Sequence, residues 1–262
     1  MNLELSGKVA AVTGASKGIG LAVTNALARE GVCVAAGARD ISEELTTLAA
    51  NSQVHPVSVD LTEQGGPGRL VAEAISAYGG LDILVNNVGA VRPRLGGFLS
   101  ITDDDWSSTL AINFFAAVRT TRAALPQMLE RGAGTIVTIC SVNSFLPDPL
   151  VMDYSAAKAA LANFCKALSK EVGPRGIRVN MVSPGPVATG LWLGSDGVAA
   201  TVARATGGQP DAVADQAAKD AVTGRFTQPQ EVADLVLLLA SDRAGNVTGA
   251  DFVIDGGLTT TL

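Results

Sequence analysis

Histidine is almost missing from this sequence: one residue, His55, among 262. It falls inside the apolar run Val54–Val59, which reads as a strand, so His55 is read as structural and not as a catalytic base. Cysteine is scarce too. Cys33, Cys140 and Cys165 are odd in number and lack C-x-x-C spacing, which excludes a disulfide framework or a zinc site and suits reduced thiols in a cytoplasmic setting. Charged residues make up only 17% of the chain, and the net charge of −6 argues against nucleic acid or an anionic membrane surface as partner. No apolar run approaches the ~18 residues needed to span a bilayer. Met1–Ser6 has no apolar stretch of the kind a secretory signal carries. The expectation is a soluble protein without a resident metal.

Glycine and small aliphatic side chains are plentiful. Hydrophobic residues are 47% of the chain and glycines number 29, enough for a large core joined by tight strand-to-helix turns. Short runs rich in Val and Ile recur at 9–13, 32–36, 54–59, 83–85, 135–139, 178–182 and 252–254, each bounded by Gly, Asp or Asn. Between them lie segments of helical period at 19–30, 43–50, 68–78, 105–130, 154–172 and 229–240. Asp40 and Glu43 have capping-box spacing, which places a helix start there. This alternation predicts one α/β domain over residues 1–262: a Rossmann-type, doubly wound, seven-stranded parallel sheet with helices on both faces. Residues 190–224 break the rhythm and read as a substrate-binding loop or lid, with a helical stretch over 210–222.

Thr13-Gly14-Ala15-Ser16-Lys17-Gly18-Ile19-Gly20 follows the first strand and opens the first helix. Glycines there allow a sharp turn, close approach to a pyrophosphate and helix-on-strand packing, while the helix N-terminus offers free N–H groups. Gly14–Gly18 also matches the G-x-S-x-G nucleophile elbow, with Ser16 as nucleophile. That hydrolase needs a histidine late in the chain, and His55 does not supply it.

Tyr154-Ser155-Ala156-Ala157-Lys158 opens a predicted helix, and its i,i+4 spacing sets Tyr154 and Lys158 on one face. A phenol is a poor acid–base group at neutral pH, and a neighbouring ammonium favours its anion. By itself the pair is also what an exposed helical surface shows. Ser141, 13 residues upstream at the end of the fifth strand, supplies a hydroxyl to hold a substrate oxygen. The polar candidates Gly14, Arg39, Asp60, Asn86, Ser141 and Pro184-Gly185 follow the ends of strands one to six in turn. Ligands of open parallel sheets bind at those ends.

Together, Gly14-x-x-x-Gly18-x-Gly20, Asn86-Asn87-Val88-Gly89, Ser141, Tyr154-x-x-x-Lys158 and Pro184-Gly185 resemble the shorter branch of the short-chain dehydrogenase/reductase family, over about residues 7–257. The family motif has Ala where this chain has Val88. The resemblance implies Ser141 as substrate-oxygen holder, Tyr154 as acid/base, Lys158 as the cation beside it and ribose binder, and Asn113 as support for a proton relay. It also implies cofactor contacts from Gly14, Ser16, Lys17, Gly18, Ile19 and Gly20 in the phosphate turn. Further cofactor contacts are Asp60 and Leu61 near the adenine, Asn87 and Gly89, and Pro184, Gly185, Val187 and Thr189. A homotetramer is implied as well.

At the position where relatives that use NAD carry an acid stands Ala38, followed by Arg39. With Lys17 this gives two cations for a 2′-phosphate, so NADP(H) is expected over NAD(H), Asp40 being turned away by its capping role. Asn143, Phe145, Leu191 and Trp192 join Ser141 and Tyr154 as substrate contacts, giving an apolar pocket for a hydrophobic or cyclic carbonyl. Phe145 and Trp192 read equally well as packing residues. The expected reaction is NADP(H)-dependent interconversion of an alcohol and a ketone. The competing readings are an NAD(H) enzyme, C=C reduction on the same fold, a non-catalytic NADP-binding regulator and the Ser16 hydrolase.

Overall fold

The structure, a computed structural model, describes residues 2–261. Seven strands form one all-parallel sheet: β1 (Val9–Thr13), β2 (Cys33–Ala38), β3 (Val54–Ser58), β4 (Ile83–Asn86), β5 (Gly134–Ile139), β6 (Ile177–Pro184) and β7 (Asp251–Ile254). Their order across the sheet is β3-β2-β1-β4-β5-β6-β7. The expected fold is therefore present. The order reverses between β1 and β4, and the crevice at that switch point is where such sheets take ligands.

All five residues of β1 are buried, and successive residues serve opposite faces. Ala10 and Val12 pack into one core with Val23 and Leu27 of α1 (Gly18–Arg29) and Val236 of α10 (Pro229–Ala240). Ala11 packs into the other core with Leu70 of α3 (Gly66–Tyr78), Met128 of α5 (Ala116–Arg131) and Leu161 of α6 (Met152–Val172). That two-sided burial is why these strands read as apolar runs without alternation. Small residues let the layers close: a Cβ on Gly37 of β2 would sit 2.7 Å from a Leu70 methyl.

Two expectations are corrected. The helix expected over 105–130 is α4 (Asp103–Leu110), a π-helical turn at Ala111–Phe115, and α5. The wider turn carries Asn113, whose Nδ2 donates to the Thr109 carbonyl one turn back at 3.0 Å, a side-chain insertion of the kind that accompanies such turns. The helix after β2, α2 (Glu43–Ala50), is capped by Ser42, whose hydroxyl accepts from Leu45 N at 3.2 Å, and not by Asp40. Asp40 is exposed, and its backbone carbonyl accepts from Ser16 Oγ at 2.5 Å.

Residues 190–224 hold three short helices: α7 (Gly190–Leu193), α8 (Val198–Thr206) and α9 (Pro210–Asp220). Among the described residues, no helix is long and apolar enough to cross a membrane.

Packing is tight where α1 meets β1. A Cβ on Gly20 would stand 2.1 Å from the Gly14 carbonyl oxygen and 2.5 Å from Asn87 Nδ2. Backbone on one side leaves nothing flexible to yield, so Gly20→Ala should destabilise the protein by about 1–3 kcal/mol. A urea midpoint unchanged from that of the parent would show that the turn accepts the extra carbon.

Candidate active site

The β1–α1 turn is built from backbone. Gly14 and Gly18 have φ of +66° and +55°, where a Cβ would be strained, and Cβ atoms there would meet Asn87 and Thr189 at 3.0 and 3.2 Å. Lys17 stands at the N-cap of α1 with no side-chain cap and no acid in the first turn. The leading N–H groups of a twelve-residue helix are thus left for an anion. Two bonds tie this turn to the β2–α2 loop: Ser16 Oγ to the Asp40 carbonyl, and Ser42 Oγ to the Ser16 carbonyl at 2.7 Å.

Thr13 and Asn87 lock the turn to the end of β4. The Thr13 hydroxyl accepts from Asn87 N at 2.8 Å and Val88 N at 3.0 Å. Asn87 Nδ2 donates to the Thr13 carbonyl at 2.8 Å and the Gly14 carbonyl at 3.2 Å. Sequence reading missed Thr13, whose only signal is its place as the last residue of β1.

At the carboxyl end of β5, Ser141 is nearly buried, and its hydroxyl is fixed by Asn143. It accepts from Asn143 N and donates to Asn143 Oδ1, both at 3.2 Å. Tyr154 and Lys158 lie one turn apart on α6, with Lys158 Nζ 5.7 Å from the Tyr154 ring centroid. Lys158 is 3% exposed and donates to the Ile139 carbonyl at 2.8 Å, so its ammonium is anchored to the strand that carries Ser141. Asn113 spans to the β4 loop: Nδ2 donates to the Ala90 carbonyl at 2.9 Å, and Oδ1 accepts from Ala90 N at 3.0 Å. Gly89 is where these parts converge, since a Cβ there would meet Asn113 Oδ1 at 2.9 Å and Lys158 Nζ at 3.6 Å.

One cleft of about 890 Å³ runs past all of them, toward the upper end of the ~300–1,000 Å³ typical of small-molecule sites. Gly14, Lys17, Gly18 and Ile19 wall one end, and Asn87 and Gly89 follow. Ser141, Asn143, Tyr154 and Lys158 stand at its middle. Pro184, Gly185, Val187 and Thr189 close one side, with Leu191 and Trp192 beyond. Trp192 packs edge-on against Phe226, with ring centroids 5.5 Å apart.

Other expected contacts lie elsewhere. Ser16 and Gly20 shape the turn from behind, and Asn113 acts through Ala90. Phe145 is 46% exposed and off the cleft wall, which its neighbours Leu146 and Pro147 form instead. Leu61 is buried in the core. Asp60 accepts from Thr62 N and Oγ1 at 2.8 and 2.7 Å, and those bonds, with a small contribution from Arg39, hold its carboxyl below the ordinary value. Arg39 is exposed at the end of β2. The far wall is formed by Val198 and Val202 of α8 and Val213 and Ala217 of α9, all within the 190–224 segment expected to cover the substrate, and by Leu258 of the tail, which sequence reading missed.

A family model described as enoyl-(acyl carrier protein) reductase matches residues 14–259. The chain belongs to the short-chain dehydrogenase/reductase family. A 3-oxoacyl-(acyl-carrier-protein) reductase of Thermotoga maritima is 34% identical over 98% of this chain and 99% of its own. A 2-(S)-hydroxypropyl-CoM dehydrogenase of Xanthobacter autotrophicus is 35% identical over 99% of each. The crystal structure of L-sorbose reductase from Gluconobacter frateurii, complexed with NADPH and L-sorbose, matches with a TM-score of 0.91 at 33% identity over 100% of both chains. These are oxidoreductases of a family that binds nicotinamide cofactors. The turn here fits such a group: its glycines leave room where Cβ atoms would intrude, its helix N-terminus is open, and the cleft leads from it to Tyr154.

A charge network holds the start of α6 in place. Arg94, in the loop after β4, donates from Nε at 3.0 Å and from Nη2 to Asp153 Oδ2, and from Nη1 to Asp105 at 2.8 Å. Thr109 Oγ1 adds a bond to Asp153 at 2.7 Å. Asp153 directly precedes Tyr154 and is 1% exposed. Burial pushes its carboxyl up, and the bonds from Arg94 and Thr109 more than offset this, so it ends below the ordinary value. A lowered folded pKa contributes stability that is present above the unfolded value of about 3.9 and is lost as pH falls through the folded one. Asp153→Asn should therefore lower stability at neutral pH by about 3 kcal/mol. It should also flatten the loss of stability below about pH 4, measured by urea unfolding across that range. A variant with the parent's stability at pH 7 would contradict this account of the network.

Proposed function

We propose that this protein interconverts a ketone and a secondary alcohol with NADP(H), using Tyr154 as acid/base. The observation that carries the reading is the single cleft on which Ser141, Tyr154 and Lys158 stand together, leading from the open N-terminus of α1. A bound nicotinamide supplies the hydride in reduction and accepts it in oxidation. Ser141 Oγ, oriented by Asn143, holds the substrate oxygen. Tyr154 Oη gives that oxygen a proton in reduction and takes it back in oxidation. The buried Lys158 stands one turn along α6 from the phenol, with its Nζ 5.7 Å from the Tyr154 ring centroid. Asn113 supports proton exchange indirectly, by holding Gly89 and Ala90 against Lys158. Tyr154→Phe should lower kcat about 10²–10⁴-fold while leaving the fold and nicotinamide binding intact. A variant that keeps parental kcat would remove Tyr154 from the chemistry.

Lys17 on the cleft wall and Arg39 on the adjoining loop support NADP(H), as does the NADPH bound in the L-sorbose reductase structure. A charge-assisted bond contributes about 1.5–3 kcal/mol. Arg39→Ala and Lys17→Ala should therefore each weaken NADPH binding about 10–100-fold and leave NADH binding within a few-fold. Equal losses for both cofactors in a fluorescence titration would overturn the 2′-phosphate assignment. The enoyl reductase description of the matched family favours C=C reduction as the second reading. The i,i+4 spacing of Tyr154 and Lys158 beside Ser141 supports C–O chemistry instead, and parallel assays of a ketone and an enone decide between them.

A cytoplasmic homotetramer is part of the same reading. Its support is a shallow apolar groove walled by Val118 and Leu125 of α5 and Phe164 of α6, together with Val253, 46% exposed on the edge strand β7. Light scattering should give four times the chain mass.

A further inference from the structure

The far half of the cleft is apolar in body. Val142, Leu146, Leu150, Val198, Val202 and Val213 wall it, and its polar side chains other than Asn143 are Gln209, Gln216, Asp148 and Asp220. Among the described residues lining the whole cleft there are two cations, Lys17 and Lys158. Lys17 stands on the phosphate turn, and Lys158 is held by the Ile139 carbonyl.

The neighbouring arginines are committed elsewhere or lie off the wall. Arg94 is enclosed by Asp153 and Asp105. Arg204 of α8 bonds the Ser195 carbonyl at 3.0 Å and faces Asp196 at 3.5 Å. Arg225 is bidentate to Glu231 at 2.7 and 2.8 Å. Arg92 is exposed and lines no part of the cleft. The two acids on the wall come from opposite sides. Asp148, in the loop after Ser141, is fixed by Leu150 N at 2.8 Å. Asp220, at the end of α9, is fixed by Gln216 Nε2 at 2.8 Å.

A carboxylate, sulfonate or phosphate on the substrate would leave water for a wall with no free counter-charge and two negative groups, in a protein of net charge −6. An ammonium would meet two partners. Building on the ketone–alcohol reading, we infer that the substrate is an apolar-bodied carbonyl compound whose end remote from the C=O is uncharged or cationic, and that anionic carbonyl compounds are rejected.

Three acetophenones of one shape test the rule: methyl 4-acetylbenzoate (neutral), 4-acetylbenzoate (anionic) and 4-acetyl-N,N,N-trimethylanilinium (cationic). Binding to the protein with NADPH is read from Trp192 and nicotinamide fluorescence, and turnover from NADPH absorbance. The neutral and cationic probes should bind at least about tenfold more tightly than the anion. Asp220→Arg, a charge reversal on the cleft wall, should recover about tenfold for the anion relative to the neutral probe. An anion bound as well as the neutral ester overturns the inference, and so does failure of all three to bind. Binding in the expected order without turnover would uphold the charge rule and overturn the assigned reaction instead.

Discussion

The clasp between Thr13 and Asn87 is the contact on which the rest of the site depends. It joins β1 to β4 at the one place where the strand order reverses, and it does so through four hydrogen bonds. On one side it holds the Gly14 carbonyl, against which Gly20 packs, and so fixes the direction in which α1 leaves the sheet. On the other it sets Val88 and Gly89, which place Ala90 within reach of Asn113. From there the path is continuous. Asn113 reaches Thr109, Thr109 reaches Asp153, and Asp153 is the residue before Tyr154. Tyr154 and the β1–α1 turn are thus positioned by one connected set of bonds across the switch point.

Lys158 illustrates why that connection has to be rigid. An ammonium taken almost wholly out of water is costly unless it is hydrogen-bonded, and here one carbonyl, Ile139 O, accepts a hydrogen bond from it. Lys158 also lines the cleft beside Tyr154. A shift of α6 by a fraction of its pitch would separate Lys158 from Ile139 and Tyr154 from Ser141 together, and the Arg94–Asp153 pair opposes that shift at the helix start.

Features set by local chemistry were legible in the sequence. The strands could be read because two-sided burial demands continuous Val, Ile and Ala. The phosphate turn could be read because only glycine serves at Gly14 and Gly18. The pair Tyr154 and Lys158 could be read because helical spacing puts them on one face. What was not legible depends on long-range partners. Thr13 looks like any strand residue until Asn87 arrives 74 positions later. Asp40 and Glu43 have capping spacing, yet the helix begins at Glu43 and the Ser42 hydroxyl takes the cap. Asn113 reads as a defect in one long helix, whereas its bonds to Ala90 and Thr109 accompany the π-helical turn. Leu258 carries no signal at all. It reaches the cleft because Asp255 folds the tail back, accepting from Gly257 N and Thr259 N at 2.9 and 2.8 Å.

The two ends of the cleft solve opposite electrostatic problems within one acidic protein. At the α1 end, anion binding is arranged without lowering the net charge, through backbone N–H groups, the helix dipole and Lys17, all acting within a few ångströms. At the far end no such device exists, and the field of Asp148 and Asp220 is uncompensated by any free cation on the wall. Ser141, Tyr154 and the buried Lys158 sit between these regions. A phosphate-bearing group entering the cleft is therefore drawn to one end and repelled from the other, so the same charge distribution that would hold a dinucleotide also orients it. What remains of the cleft is an apolar chamber walled by α8 and α9 beside Ser141 and Tyr154, with Asp148 and Asp220 as its charged groups.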